Sequence, residues 1–320
     1  MRLVTECDLF FPWPLPCMTR LLKLLPGHFA LLLSALTLFV SPLVCRADDT
    51  IDFANIQHYA QLSSAVYQPI DALEASLPPG FTLVAYQTVL ELEIACLVVI
   101  HDASGDLVLA VRGTSNISNA LTDIDFKLTP DPIAGIKLHN GFAEASRAIY
   151  RLIEPLLDRA RTVNTTGHSL GGAVALIMAM YLHRDDFRVG DVITFGQPKV
   201  TNIAGSDEFK QLNVMRVVTP LDIVPMVPLF DPLDIGNLDI FWHLGREVVL
   251  HEDSRYSILS GVNSMMRAVK FTQRLIDQQN LDQHRMSLYH NLVENKTDAA
   301  AEVPFKTDLN LFNLFGKPNP

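Results

Sequence analysis

Residues 161–178, Arg-Thr-Val-Asn-Thr-Thr-Gly-His-Ser-Leu-Gly-Gly-Ala-Val-Ala-Leu-Ile-Met, join a β-branched run to a long apolar run through the turn Gly167-His168-Ser169-Leu170-Gly171-Gly172. A strand must therefore give way to a helix within a few residues. A serine at such a turn projects its hydroxyl from a strained backbone, and glycines two before and two after it let strand and helix pass without a Cβ clash. The helix starting at Leu170 also aims unpaired N–H groups and a partial positive charge at the space beside that hydroxyl. Chance alone supplies the G-x-S-x-G pattern in roughly one chain of this length in ten, so the flanking strand and helix carry the reading. They favour a nucleophilic Ser169 over an incidental serine in a glycine-rich helix start.

The 320 residues show no linker composition, low-complexity tract or internal repeat. A hydrophobic content of 49 % with 19 % charged residues describes a large packed core. Residues 48–320 are expected to form a single domain, with a C-terminal tail from about 297. The first 47 residues differ. Met18–Lys23 is a short basic region, Phe29–Val44 an apolar region broken by Pro42, and Cys45-Arg46-Ala47 a cleavage possibility before Asp48-Asp49. This reads as a secretory signal peptide, with Met18 as an alternative start. The apolar run is at the short end for crossing a bilayer, so the mature chain is expected to have no stable membrane span and to be secreted, extracellular or periplasmic. Cys7, Cys17 and Cys45 fall in the removable segment, which leaves Cys96 alone and no internal disulfide possible.

Without residues 1–47 the chain keeps 21 of its 25 basic and 33 of its 35 acidic residues, a net charge of −12. Nucleic acid and anionic membrane surfaces are repelled by such a chain. No metal-ligand spacing or phosphate-binding loop appears, so neither a metal nor a cofactor is expected. The sequons at Asn116, Asn164 and Asn295 are read as coincidence, because Asn164 lies in a predicted buried strand.

Along the mature chain the patterns predict an amphipathic helix over 51–67 and strands over 81–89, 92–101 and 107–111. Helix and strand then alternate: helix 141–161, strand 162–166, helix 170–184, strand 191–195, short helix 205–212, strand 213–219. A further helix is predicted over 258–279. Alternation of this kind argues for an α/β fold, a three-layer sandwich around a mostly parallel central sheet, with ligands at the carboxyl ends of its strands.

A serine hydroxyl needs a histidine base oriented by a carboxylate, and in this fold class the chain order is Ser, Asp or Glu, then His. Histidines before Ser169 are thereby excluded. Asp222 follows the predicted buried strand Arg216–Thr219 by three residues and precedes Ile223-Val224-Pro225, which places it at a strand end. Asp191 begins a strand, and Asp231, Asp234 and Asp239 sit in a looser loop where solvation explains them. Four candidates for the base remain, His243, His251, His284 and His290, and pattern alone leaves them open.

Five motifs occur in order: Ala110-Val111-Arg112-Gly113-Thr114, Leu138-His139-Asn140-Gly141-Phe142, Gly167–Gly172, Thr194-Phe195-Gly196-Gln197-Pro198-Lys199-Val200 and Trp242-His243-Leu244-Gly245-Arg246-Glu247. Over about 85–290 the chain resembles the fungal-type (class 3) lipase family of the α/β-hydrolase superfamily. The resemblance implies a catalytic Ser169, an aspartate within Arg216–Pro225, hence Asp222, and a base in an Asp-x-His or His-x-x-x-x-Tyr context. Asp282-Gln283-His284 through Tyr289 selects His284, with His290 as the fallback and His243 as a structural histidine. It further implies oxyanion-hole N–H groups at Thr114 and Leu170.

In the same family the segment after Thr114 holds a lid. Here Ile117, Leu121 and Ile124 recur at helical spacing, the stripe a lid helix presents, although a helix packed permanently on the core would show it too. Ala120 stands where relatives usually carry tryptophan, which argues against strong interfacial activation. Residues 226–241 read equally as the wall of an acyl pocket or as core packing, and the predicted 258–279 helix as an addition to that wall or a cap. The resemblance thus implies a serine ester hydrolase that cleaves acylglycerol esters, met as lipid or small esters at an oil–water interface. A short-chain or aromatic-acyl esterase, a phospholipase A and a non-catalytic lipid-binding protein are the alternatives on the same scaffold.

Overall fold

Aliphatic and β-branched runs build the central sheet of the computed structural model, which describes residues 50–114, 127–228, 239–271 and 278–305. The chain divides between Ile51 and Asp52, and the fold below is that of the second unit. The expected signal segment 1–47, the expected lid stripe Ile117, Leu121 and Ile124, and residues 229–238 of the expected pocket wall lie outside the described residues.

The main sheet runs in the order β1 (Phe81–Val89), β2 (Ile94–His101), β3 (Leu107–Val111), β6 (Thr162–His168), β7 (Arg188–Phe195), β9 (Asn213–Val218), β11 (Arg246–Leu250), β12 (Arg255–Leu259) and β13 (Ala301–Glu302). From β3 to β11 all neighbours are parallel, while β1–β2–β3 and β11–β12 pair antiparallel. A small antiparallel sheet, β10 (Phe241–Trp242), β8 (Thr201–Asn202), β5 (Lys137–His139) and β4 (Leu128–Pro130), lies apart from it.

Strands covered on both faces need no polar alternation, and β3, Leu-Val-Leu-Ala-Val, is buried throughout. Its Leu107, Leu109 and Val111 join the core with α2 (Asn140–Ile153) and α3 (Leu170–Arg184). Val108, pointing the other way, lines a cleft with Tyr59 and Leu62 of α1 (Phe53–Ala65). This is the expected three-layer α/β sandwich. α3 is apolar all round, which marks a core helix, and its residues Gly171–Leu182 are buried. A Cβ at Gly171 would stand 2.2 Å from the Val111 carbonyl oxygen, so only glycine lets α3 start this close to the end of β3. No helix among the described residues is long and apolar enough to cross a membrane.

Several boundaries differ from the sequence reading; the short helix predicted over 205–212, for one, is α4 (Ile203–Glu208). α2 stops at Ile153 because Pro155 forces a 3₁₀ turn over Glu154–Leu156. The stretch predicted as one helix over 258–279 begins as β12, paired with β11 through Glu247–Leu259 and Val248–Ile258. Gly261 then turns the chain at φ 52° into α5 (Val262–Phe271), and α6 (Gln278–Asp282) follows later. The expected tail starts as a sheet edge: Ala301 and Glu302 pair parallel with Arg255 and Tyr256.

Candidate active site

The carboxyl ends of β3, β6, β7 and β9 deliver the residues of one cluster. Ser169 follows β6 directly at φ 60°, ψ −132°, a region that side-chain-bearing residues enter only when the surroundings impose it. Its N–H donates to the Phe195 carbonyl oxygen at 2.9 Å, and only 1 % of the residue is exposed. Leu170 is the first residue of α3, so its N–H is among those the helix leaves without an internal acceptor. Thr114 follows β3 and Gly113. The backbone at Gly113 lies against the turn, because a Cβ there would stand 2.5 Å from the His168 carbonyl oxygen and 3.2 Å from Ser169 Cβ.

Asp222, fully buried, lies in the loop after β9. Its Oδ1 accepts from the Val224 N–H at 2.8 Å, and Oδ2 accepts from Tyr289 Oη at 2.5 Å and from His284 Nδ1 at 2.7 Å. A carboxylate only accepts, so the His284 proton sits on Nδ1 and Nε2 presents a lone pair. Tyr289, on α7 (Met286–Glu294), also accepts from the Thr219 N–H at 3.3 Å. Burial first, then Asp222, pushes its phenol well above the usual range, so it remains a donor to the carboxylate. Ser169 Oγ and His284 Nε2 are both buried and have no hydrogen-bond partner among the described residues. They do not bond each other; a nucleophile and base commonly close to bonding distance only around substrate.

Gly196 makes the close approach possible. At φ 57° it takes a conformation that favours glycine, and a Cβ there would stand 2.8 Å from His284 Cε1 and 2.9 Å from Asp222 Oδ2. Beneath the Asp222 loop lies a buried charge network. Glu247 on β11 pairs with Arg216 Nη1 at 3.2 Å and Arg267 Nε at 2.5 Å, and accepts from Ser264 Oγ. Burial alone would raise the Glu247 carboxyl, but the two guanidiniums hold it below its ordinary value. Arg267 Nη1 donates onward to the Thr219 carbonyl oxygen at 3.2 Å, which ties the network to the loop bearing Asp222.

Of the sequence candidates, Ser169, Asp222 and His284 come together, with Leu170 and Thr114 at their edge. His243 instead donates from Nε2 to the Pro225 carbonyl oxygen at 2.7 Å, and burial holds its ring neutral, well below the usual histidine range. His251 meets Ser257 Oγ at 2.9 Å. His290 lines a surface cleft with Gln61, Ser64 and Pro78. Asp191 accepts from the side-chain amides of Asn55 and Asn213, and Asp239 pairs with Lys137. Sequence reasoning missed Tyr67, Glu247 and Arg267. For Glu247 a signal existed, since a carboxylate opening the run Val248-Val249-Leu250 calls for a buried cation. Among the described residues no group of three or more His, Cys, Asp or Glu side chains could hold a metal ion.

Residues 108–231, which hold the Gly167–Gly172 turn and Asp222, match the family described as Lipase (class 3). The likeness to the class 3 lipases is carried by this segment. Among curated relatives, the secreted mono- and diacylglycerol lipase 1 of Fusarium solani is 32 % identical over 172 residues, 48 % of this chain and 51 % of that protein. The lipase of Rhizomucor miehei is 26 % identical over 229 residues, 65 % of this chain and 61 % of its own. The chain thus spans between half and two thirds of the length of these relatives. The mono- and diacylglycerol lipase of Aspergillus oryzae superposes with a TM-score of 0.62 at 21 % identity, over 73 % of this chain and 96 % of that one. A lipase from Rhizopus microsporus var. chinensis superposes with a TM-score of 0.53 at 26 % identity, over 63 % and 75 %. The described fold is therefore the α/β-hydrolase fold of the fungal lipases.

Proposed function

We propose that this chain is a secreted serine ester hydrolase acting on acylglycerol esters through an acyl-enzyme intermediate. The observation that carries the reading is the strained, buried Ser169 at the carboxyl edge of the sheet, beside a His284–Asp222 pair of 2.7 Å whose outer nitrogen is free to accept a proton. Ser169 Oγ attacks the ester carbonyl while His284 Nε2 takes its proton and then passes it to the leaving alcohol. Asp222 keeps His284 in the Nδ1–H tautomer and stabilises the imidazolium. The N–H groups of Thr114 and Leu170 hold the tetrahedral oxyanion, each contributing about 10²–10³ in rate. Water activated by His284 then releases the fatty acid.

Residues 48–320 act as one catalytic domain in this reading, after loss of the signal segment 1–47, and Ile117, Leu121 and Ile124 belong to a lid. An acylglycerol is favoured because two similar proteins are named mono- and diacylglycerol lipases and because residues 48–320, carrying −12, suit an uncharged ester better than an anionic one. The test compares the full chain with Ser169→Ala, His284→Ala and His290→Ala on p-nitrophenyl butyrate and on emulsified mono-, di- and triacylglycerol and phosphatidylcholine. Loss of turnover in the first two variants, retention in the third and preference for acylglycerol are expected. Turnover that survives Ser169→Ala, or a wild type inactive on every ester and unlabelled by a fluorophosphonate, would overturn the proposal.

A further inference from the structure

Three hydrogen bonds outside the Ser–His–Asp set run from the end of β3 to the loop that carries His284. The Gly113 N–H donates to Tyr67 Oη at 3.1 Å, Tyr67 Oη meets His168 Nδ1 at 3.1 Å, and His168 Nε2 meets the His284 carbonyl oxygen at 2.6 Å. Chemistry fixes the direction of each bond. A carbonyl oxygen only accepts, so Nε2 of His168 carries a proton. Burial first, then the neighbouring His284, holds the His168 ring well below the usual histidine range, so the ring is neutral and Nδ1 offers a lone pair. Tyr67 Oη accepts from Gly113 and gives its own proton to Nδ1; burial pushes that phenol up to about 12, so the proton stays in place.

We infer that Tyr67 and His168 form a strap with a fixed direction of donation, Gly113 to Tyr67 to His168 to the His284 carbonyl, and that both are positioning residues for ester hydrolysis. The inference rests on the function proposed above. Its reason lies in where the three bonds end. Gly113 precedes Thr114, His168 precedes Ser169, and the final acceptor is the main chain of the base itself. The oxyanion donor, the nucleophile and the base therefore cannot shift against one another without breaking a bond. The His168 and His284 rings also lie 4.5 Å apart at 31°, so the strap packs against the base as well as bonding it. Neutral imidazole suits the place because it is rigid, donates on one side and accepts on the other. Catalytic groups lose efficiency once displaced by about 0.5–1 Å, and β3, β6 and the 282–285 loop have no covalent neighbour in common to hold them that closely.

The test uses the full chain and p-nitrophenyl butyrate. Tyr67→Phe keeps the ring and removes only the hydroxyl, so folding is preserved while Gly113 and His168 lose their link. The expected result is a fall in kcat of roughly 10–100-fold with KM within about twofold. His168→Leu is expected to do the same, and the double variant to fall no more than about twofold below the worse single, because one broken link disables the strap. In wild-type protein, ¹⁵N NMR of the His168 ring is expected to show Nε2 protonated and Nδ1 bare, with the Nδ1 signal moving in Tyr67→Phe. Wild-type kcat in Tyr67→Phe, multiplicative losses in the double variant, or a proton on Nδ1 would each overturn the strap. A wild type without Ser169-dependent hydrolysis would instead remove the function on which it rests.

Discussion

Gly196→Ala places the smallest possible side chain against the His284–Asp222 pair. On the present backbone the new Cβ would stand 2.8 Å from His284 Cε1 and 2.9 Å from both His284 Nδ1 and Asp222 Oδ2, whereas ordinary contact begins at 3.4 Å. Three atoms must therefore retreat by about 0.5 Å each. They lie at the two ends of one 2.7 Å bond, and Asp222 is pinned from behind by the Val224 N–H and Tyr289 Oη, so the pair cannot withdraw intact. Overpacking of this kind costs about 1–3 kcal/mol, and holding alanine at φ 57° adds ~1–2 kcal/mol, for roughly 2–5 kcal/mol together. At a few degrees per kcal/mol for a domain of this size, Tm should fall by roughly 5–15 °C. A displacement of about 0.5 Å at the base should lower kcat by roughly tenfold with KM little changed. The assays are steady-state hydrolysis of p-nitrophenyl butyrate and thermal unfolding followed by near-ultraviolet circular dichroism. A variant with wild-type kcat and Tm would refute the close approach of Gly196 to the pair, and a lowered Tm with wild-type kcat would refute its importance for positioning the base.

Three further outcomes follow from the same geometry. Asp222→Asn should cut kcat by roughly 10⁴, because an amide can present its NH₂ to His284 Nδ1 and favour the wrong tautomer; a loss under tenfold would contradict the assigned roles. Glu247→Gln leaves Arg216 and Arg267 buried without their anion and should cost about 3–5 kcal/mol in urea unfolding, so near-wild-type stability would exclude the network as a support. Burial first, then Arg216, lowers the Lys199 ammonium to about 7, although it donates to the carbonyl oxygens of Met226 and Pro228. Its folded pKa is thus depressed below the unfolded value, and from pH 7 to 10 the unfolded chain binds more protons than the folded one at this site, so its contribution to stability rises with pH. The stability difference between wild type and Lys199→Met should therefore increase over that range, and a flat or falling difference would count against the burial of a titrating amine.

Local pattern was enough wherever a physical requirement is local. The geometry of the Gly167–Gly172 turn is legible in the sequence because the strained serine, the flanking glycines and the apolar helix after it all lie within about 15 residues. The alternation of helix and strand likewise indicated the sandwich, since each element signals its own buried face by its period. Where a short apolar run could serve either state the pattern failed: Ile258 and Leu259, expected to start a helix, instead end β12 because β11 offered them partners, which no period within the run expresses. The choice among His243, His251, His284 and His290 was equally closed to pattern, and only family resemblance singled out one of them. The tertiary structure separates them by partner: Asp222 Oδ2 for His284, the Pro225 carbonyl for His243, Ser257 for His251 and a surface cleft for His290. Tyr67 gave no sign at all, because its place between Gly113 and His168 depends on the order of strands in the sheet. Hydrogen bonds and ion pairs between residues 46 to 116 positions apart are set by which chain ends the packed core brings together, and a sequence read in windows of a few turns or strands carries no record of that.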